Sequence, residues 1–305
     1  MKNIDTLLVI ARKFNDIFYA VSTPVWHQSK HRILVIFAKI GFSELFPLKD
    51  KFDDVIIFDS SDKRSNNLHI IQEIYKTRKY VQCDAILVSN VVLVANQYLI
   101  KITKCQQIFL LEDGLMNYYD FRPSASLIKH LTQLILGIDE QKLFNRIRKT
   151  FLLSPKLAKY YRGELVQLQL TPQVLLIPDS LDIDGKKIFV GQCLYKFGYM
   201  SLPQYNIIVN RIIKQHDIDY YLPHPFASNE EHIDCPILNL NKSHITLEIL
   251  ASQFKFELYS FCSSVLYSTC IINPNIKNCL IRIPELFDKS ELPVIKKYCS
   301  KIIDI

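Results

Sequence analysis

The feature of this sequence that most limits its fold is an alternation of short, continuously apolar runs with longer and more polar stretches. Strands that are buried on both faces of a parallel sheet read as continuous apolar runs, and a helix normally joins each one to the next. The pattern therefore predicts an α/β protein whose parallel sheets are covered by helices. The runs that we expect to form strands are 4–10, 32–38, 54–58, 85–88 and 107–111, followed by 174–177, 187–190, 220–222, 264–267 and 280–283.

This pattern runs twice along the chain, which indicates two α/β domains. The 305 residues match the usual length of about two domains. We place the domains at 1–165 and 166–305, and we expect helices between the strands, such as 66–79 with its apolar residues on one face. Ligands bind at the carboxyl ends of the strands in such folds, so we expect a site in a cleft between the domains.

The scarcity of glycine excludes two common nucleotide-binding classes. Only 7 of the 305 residues are glycine, and no G-x-G-x-x-G fingerprint occurs. Gly185-Lys186 lacks the glycine five positions earlier that a phosphate-binding Walker loop needs. Simple dinucleotide-dependent dehydrogenases and P-loop NTPases are therefore disfavoured.

Charge and cysteine content limit the partners and the cellular compartment that we expect for this protein. The net charge of +7 suits an anionic substrate or membrane surface. It is too dispersed to indicate a nucleic-acid partner. Eight cysteines without a C-x-x-C pair indicate reduced thiols. No run reads as a secretory signal or a membrane span, so we expect a cytoplasmic protein, soluble or held at the membrane surface.

Residues 124–159 form the most basic part of the chain and read as helical from Leu127 to Ile147. The simplest interpretation is a solvated helix face beside a domain linker. A basic surface that rests on anionic lipid is the second interpretation. A helix that binds a partner protein is the third.

The first candidate site is Glu112-Asp113-Gly114, where an apolar run ends in two acids and a glycine. A carboxylate at the end of a strand can act as a general base towards a hydroxyl. Consecutive strand residues point to opposite faces, so we do not expect both acids to act on one atom. A plain turn at the strand end is the alternative.

The second candidate site is His224, which lies between Pro223 and Pro225 after a β-like run. The prolines restrict the backbone on both sides, and rigid placement suits an imidazole that contacts a phosphate or donates a proton. A histidine in a stiff turn is the alternative. His232 and His244 lack the spacing of a zinc motif, so we predict no metal site.

Two further motifs lie downstream. Ser263 and Ser264 precede an apolar run, and at a helix start their hydroxyls and the first free N–H groups would form an anion site. A structural N-cap is the alternative. Glu248 is a single acid in an apolar, helix-like stretch. Its carboxylate could accept two ribose hydroxyls, or it could be a surface residue.

The order of these four motifs resembles that of the bacterial sialyltransferases, most closely glycosyltransferase family 52, the lipooligosaccharide and capsule sialyltransferases. The series is Glu-Asp-Gly, His-Pro, Ile-x-x-Glu-Ile-Leu and Ser-Ser-x-x-Tyr-Ser, over residues 105–270. The resemblance implies a GT-B fold, with two Rossmann-like domains whose parallel sheets face a central cleft. It also implies inverting transfer of sialic acid from CMP-sialic acid to a terminal sugar such as galactose, with no metal and no further cofactor.

The resemblance also implies roles for individual residues. Glu112 or Asp113 would deprotonate the acceptor hydroxyl, and Asp113 is favoured. His224 would protonate or neutralise the departing CMP phosphate. The other residues implied in binding CMP are Ser263 and Ser264 at the phosphate, Glu248 at the ribose, Pro225 at the cytidine, and Gly114.

The expected partners follow from the same family. They are a nucleotide-sugar donor and a glycan or glycolipid acceptor at the cytoplasmic face of a bacterial inner membrane, and some relatives form homodimers. The stretch 193–200 holds no acid where some relatives carry a rival base. A GT-B transferase that uses another nucleotide sugar and a non-catalytic membrane-surface protein are the alternative interpretations.

Overall fold

The computed structural model describes residues 4–38, 49–59, 67–105, 107–118, 127–170, 181–224, 227–240, 246–283 and 293–305. These residues belong to two compact units, Met1–Thr171 and Pro172–Ile305. The division predicted from the sequence lies slightly earlier, after residue 165.

The described part of the first unit contains one seven-stranded sheet, in the order β3-β2-β1-β4-β5-β6-β7. All of its strand pairs are parallel. The strands are β1 (Thr6–Ala11), β2 (His31–Ala38), β3 (Asp54–Asp59), β4 (Ala85–Val88), β5 (Gln107–Leu111), β6 (Ile147–Leu152) and β7 (Glu164–Gln167).

Helices connect the strands of the first unit. They are α1 (Phe14–Val21), α2 (Pro24–Gln28), α3 (Asn67–Thr77), α4 (Val94–Ile102), α5 (Leu127–Ile135) and α6 (Glu140–Phe144), with short 3₁₀ turns at Lys49–Lys51, Gly114–Asn117 and Pro155–Leu157. Ile74 of α3 and Leu99 of α4 are fully buried against strand residues such as Val35 and Ile86. Burial of these aliphatic side chains stabilises the unit by about 1.5–3 kcal/mol each.

The second unit repeats this plan with a five-stranded parallel sheet among its described residues, in the order β12-β11-β10-β8-β9. Its core is rich in aromatic residues, with Phe189, Tyr205, Tyr221 and Phe261 all buried. The strands are β8 (Lys187–Val190), β9 (Tyr220–Leu222), β10 (Glu257–Ser260), β11 (Lys277–Arg282) and β12 (Lys301–Asp304), and the helices are α7 (Leu202–His216), α8 (Leu247–Ala251), α9 (Val265–Ile272) and α10 (Pro293–Tyr298), with a 3₁₀ turn at Leu194–Phe197.

The structure confirms most of the predicted strands and corrects two elements. Ile147 is predicted in a helix, since its spacing of four from Leu143 fits the helical repeat, but α6 ends at Phe144 and Ile147 begins strand β6. The run 264–267 is predicted as a strand, but Ser264 caps helix α9 and the helix begins at Val265. A short apolar run in a buried helix cannot be distinguished from a buried strand by periodicity. The run 174–177 lies outside the described residues.

In the parts of the chain that the structure describes, no helix has the length and apolarity needed to cross a membrane.

Candidate functional site

In the first unit, three neighbouring strand ends position Asp113. Asp113, Lys13 and Asn90 each lie two residues beyond the carboxyl end of β5, β1 and β4, respectively. The Lys13 ammonium donates to Asp113 Oδ1 at 3.0 Å, and the Asn90 amide donates to Asp113 Oδ2 at 3.1 Å. The Asp113 backbone N–H donates to Asn117 Oδ1 at 2.6 Å. The carboxylate is thus held in one orientation at the edge where α/β sheets bind ligands.

A second carboxylate, that of Asp16, lies behind this edge and is fully buried. The backbone N–H groups of Arg12 and Lys13 donate to its Oδ2 at 2.8 and 3.1 Å. Burial raises the pKa of Asp16, and the Lys13 charge opposes this rise. Burial also lowers the pKa of Lys13, but Asp16 and Asp113 outweigh that effect and raise the pKa to about 12. Lys13 therefore remains a cation between two carboxylates.

Glu112 lies in a different environment from Asp113. Its side chain is fully buried, whereas the Asp113 side chain is 16% exposed. The Tyr118 hydroxyl and the Leu153 backbone N–H each donate to Glu112 Oε2 at 2.8 Å. Because Leu153 follows β6, these bonds join the ends of β5 and β6 inside the unit. Glu112 thus has a structural function that the sequence motif does not reveal.

Gly114 follows these acids and begins the 3₁₀ turn. Its φ of +65° lies in the left-handed region that favours glycine. Because this turn follows β5, Gly114 lies at the same edge of the first sheet as Asp113.

In the second unit, the ends of β9, β8 and β10 lie side by side. His224 lies two residues beyond β9, Gly191 directly follows β8, and Ser263 lies three residues beyond β10. Adjacent strands are about 4.8 Å apart, so the ends of β9 and β10 are separated by about 10 Å. The topology therefore brings His224 and Ser263 to one edge of the same sheet.

A tyrosine network fixes the centre of this second edge. A Cβ at position 191 would collide with the Tyr221 hydroxyl, which explains the glycine. The Tyr221 hydroxyl shares a hydrogen bond with that of Tyr205 at 3.0 Å and donates to Glu231 Oε2 at 2.9 Å. The Tyr195 hydroxyl donates to Glu231 Oε1 at 2.7 Å. Burial raises the pKa of all three tyrosines, so they remain protonated donors.

His224 is half-buried, and its charge state responds to Lys196, a cation that the sequence motifs do not include. Burial lowers the pKa of His224 below its usual value of 6.5, and the charge of Lys196 lowers it further. Lys196 lies in the 3₁₀ turn after β8. It is the only charged residue in 193–200, and this isolated charge is the one sequence feature that could have indicated its role. Because β8 and β9 are adjacent and parallel, two groups that can carry positive charge follow their ends at the same edge, which suits an anion.

Ser263 and Ser264 lie at the start of helix α9. The Val265 backbone N–H donates to Ser263 Oγ at 3.4 Å. Ser264 is the N-cap residue, and its side chain makes no capping hydrogen bond. The free N–H groups expected from the sequence are not found here, because the Leu266 and Tyr267 N–H groups donate to the Ser263 and Ser264 carbonyl oxygens at 3.2 and 3.1 Å. An anion at this helix start would therefore depend on the serine hydroxyls and the partial positive charge of the helix end.

Glu248 and Pro225 complete the residues proposed from the sequence. Glu248 is buried in α8, and its Oε1 accepts a hydrogen bond from Ser268 Oγ of α9 at 2.9 Å. This bond joins α8 to the first turns of α9. Pro225 lies outside the described residues. Among the described residues, no group of three or more His, Cys, Asp or Glu side chains is placed to hold a metal ion.

Comparisons with known proteins identify the fold. No family model matches the chain, and no curated protein matches it. The glycotransferase of kitacinnamycin is similar with a TM-score of 0.54 at 10% identity, over 98% of this chain and 85% of that chain. A Listeria monocytogenes protein described as a UDP-N-acetylglucosamine 2-epimerase also has a TM-score of 0.54 at 10% identity, over 91% and 79%.

A third similar structure is the UDP-GlcNAc 2-epimerase of Methanocaldococcus jannaschii in complex with UDP-GlcNAc and UDP. Its TM-score is 0.50 at 14% identity, over 98% of this chain and 88% of that chain. At these identities the likeness establishes the fold alone. The chain has the GT-B type of fold, with two parallel-sheet α/β domains, and the predicted fold class is confirmed.

The two adjacent acids should respond differently to substitution. Glu112→Ala removes the acceptor of two buried hydrogen bonds, those from the Tyr118 hydroxyl and the Leu153 N–H, so we expect the free energy of unfolding to fall by about 2–4 kcal/mol. Asp113→Ala removes a partly exposed carboxylate, and we expect a loss below about 1 kcal/mol. Urea denaturation measures both values. Equal losses would contradict the distinction between the two residues.

The lowered pKa of His224 predicts a pH-dependent affinity for anions. The imidazole is neutral at pH 7 and gains a proton only as the pH falls below its lowered pKa, so affinity for a dianion should rise in that direction. We expect sulfate, which stays dianionic, to raise the unfolding temperature more at about pH 5 than at about pH 8.

His224→Gln should abolish this pH dependence. Lys196→Gln should weaken sulfate binding at every pH, because it removes a permanent charge. A wild-type response that does not vary with pH would refute the assignment of His224 to an anion site.

Proposed function

We propose that this protein is a glycosyltransferase that moves sialic acid from CMP-sialic acid to a terminal sugar, such as galactose, of a bacterial lipooligosaccharide or capsule glycan. The observation that supports the proposal is that His224, Lys196 and the Ser263–Ser264 helix start follow the neighbouring strands β9, β8 and β10 at the same edge of the second sheet. These groups suit a nucleoside monophosphate. Sialic acid is proposed as the donor sugar because the order of the four sequence motifs resembles that of the sialyltransferases.

On the donor side, the bond between the anomeric carbon and the phosphate oxygen breaks, and its electron pair stays with the phosphate. Positively charged groups and fixed hydrogen-bond donors stabilise that developing charge without rearranging. Lys196 supplies a permanent charge, and the serine hydroxyls donate hydrogen bonds. Phosphate binding favours the protonated imidazole of His224, which can then pass its proton to the departing oxygen.

On the acceptor side, Asp113 takes the proton from the sugar hydroxyl as its oxygen attacks the anomeric carbon. Lys13 and Asn90 hold the Asp113 carboxylate in place, and buried Asp16 balances the Lys13 charge. Glu112 is not included as a base in this proposal, because its carboxylate is occupied by the Tyr118 hydroxyl and the Leu153 N–H.

A GT-B transferase with a uridine nucleotide donor is the second candidate function. It is favoured by two structures of similar fold, whose names state UDP-GlcNAc chemistry. A uridine diphosphate carries one more phosphate than CMP, and the anion site described above does not by itself distinguish the two.

Nucleotide selectivity separates these two candidates. We expect CMP at about 100 times its Kd to stabilise the protein by about 2.7 kcal/mol, which thermal unfolding measures. UDP should stabilise it less. Ser263→Ala should reduce the effect of CMP, and Ser300→Ala, a change on the loop before β12, should not. Stabilisation by UDP and not by CMP would favour the second candidate.

Catalysis is tested by measuring CMP release from CMP-sialic acid with lactose or other galactose-ended acceptors. Asp113→Asn and His224→Gln should each lower kcat about 10²–10⁴-fold, because each removes a positioned acid or base. The control is Asp182→Asn, which changes an exposed carboxylate and should leave kcat unchanged. Absence of CMP release from folded protein with every acceptor would refute the proposal.

A further inference from the structure

Helix α5 presents an aliphatic face to solvent. Five of its nine residues are leucine or isoleucine side chains that are between 50% and 82% exposed. Their spacing places them on one side of the helix. A surface helix of a globular protein normally turns such a face towards the core. The five residues, which we call the α5 apolar face, are Leu127, Ile128, Leu131, Leu134 and Ile135.

The opposite, polar side of α5 packs against the protein. The Gln133 amide donates to Gln97 Oε1 of α4 at 2.8 Å, and this bond is buried. The Gln97 amide donates to Glu140 Oε1 of α6 at 2.7 Å, and the Lys129 ammonium donates to the same oxygen at 3.1 Å. Turning the helix over to bury its apolar face would break this network. These hydrogen bonds therefore fix the leucines and isoleucines in the outward direction.

The chain around this helix is strongly basic. Residues 127–170 contain eight Lys or Arg against three Asp or Glu, in a protein whose net charge is +7. The basic residues of this stretch that are exposed include Lys142, Arg148, Lys156 and Lys159. Aliphatic side chains combined with positive charge are complementary to an anionic lipid surface, which offers hydrocarbon beneath negative headgroups.

We propose that the α5 apolar face docks the protein on an anionic lipid bilayer. Nine helical residues extend about 14 Å, whereas the hydrocarbon core is about 30 Å thick. The helix therefore lies in the plane of the interface with its leucines and isoleucines among the acyl chains, and the basic residues contact the headgroups. This proposal does not depend on the donor assigned above.

A second copy of the chain fits this face less well. Stable protein interfaces use about 20–30 residues from each partner, and the α5 apolar face offers five side chains. Two copies meeting through this region would also bring two basic segments together. Like charges at an interface disfavour association.

Vesicle flotation tests the proposal. The full chain is mixed with vesicles of phosphatidylglycerol and phosphatidylcholine in equal parts, or of phosphatidylcholine alone. We expect binding to the anionic vesicles that weakens with salt, and much weaker binding to the neutral ones. Leu134→Gln/Ile135→Gln should reduce affinity about tenfold or more. Lys142→Gln/Arg148→Gln should reduce it about fivefold for each charge removed.

The matched control is Ile207→Gln. Ile207 is an aliphatic residue that is 68% exposed on α7 of the other unit, and its substitution should leave vesicle binding unchanged. Circular dichroism should show native spectra for every variant, since all the altered side chains are exposed. Turnover of a water-soluble acceptor should be unaffected by the α5 change, which separates this test from that of the catalytic proposal.

Three results would overturn the proposal. The wild-type protein could fail to bind anionic vesicles, or Leu134→Gln/Ile135→Gln could bind them as tightly as the wild type does. The wild type could also be a dimer that the same double substitution converts to monomers, which would assign the face to a second copy.

Discussion

The arrangement of the candidate groups depends on the parallel direction of the strands. Because β1, β4 and β5 all run the same way and lie side by side, the residues that follow them meet at one edge. Lys13, Asn90 and Asp113 are far apart in the sequence, and only this pairing brings them into hydrogen-bonding distance. The same rule places His224 and Ser263 at one edge of the second sheet. An antiparallel strand in either sheet would send one of these groups to the opposite edge.

The two edges have different chemistry, although the folds that carry them are alike. The first edge holds the Asp113 carboxylate, which pairs with the partly exposed Lys13 ammonium in front of buried Asp16, and this setting suits the removal of a proton. The second holds a half-buried imidazole, the Lys196 ammonium and a helix start, and it suits a phosphate. Glycosyl transfer needs both functions, because the acceptor loses a proton while the departing nucleotide gains negative charge. The proposed transferase activity takes one of these functions from each edge.

Helix α5 shows how a few polar contacts can set the orientation of an amphipathic element. Its sequence has the same periodic pattern as a core helix, and the pattern alone predicts only that one face is apolar. The direction of that face is decided by the hydrogen bonds among Gln97, Gln133 and Glu140, since buried amides and carboxylates without partners are costly. The result is an exposed leucine and isoleucine face within a stretch of the chain that carries an excess of positive charge.

The sequence by itself determined the α/β class and most strands, because parallel strands buried on both faces require continuous apolar runs. The alternation of side chains along a strand also indicated that Glu112 and Asp113 do not act on one atom, whereas the preference for Asp113 came with the family resemblance. The sequence did not reveal Lys13 or Lys196 as neighbours of Asp113 and His224, nor the interior role of Glu112. Those relations depend on which strands lie side by side, and long-range pairing leaves no local periodicity to read. The tertiary structure alone therefore decided which charges meet and how each candidate group is held.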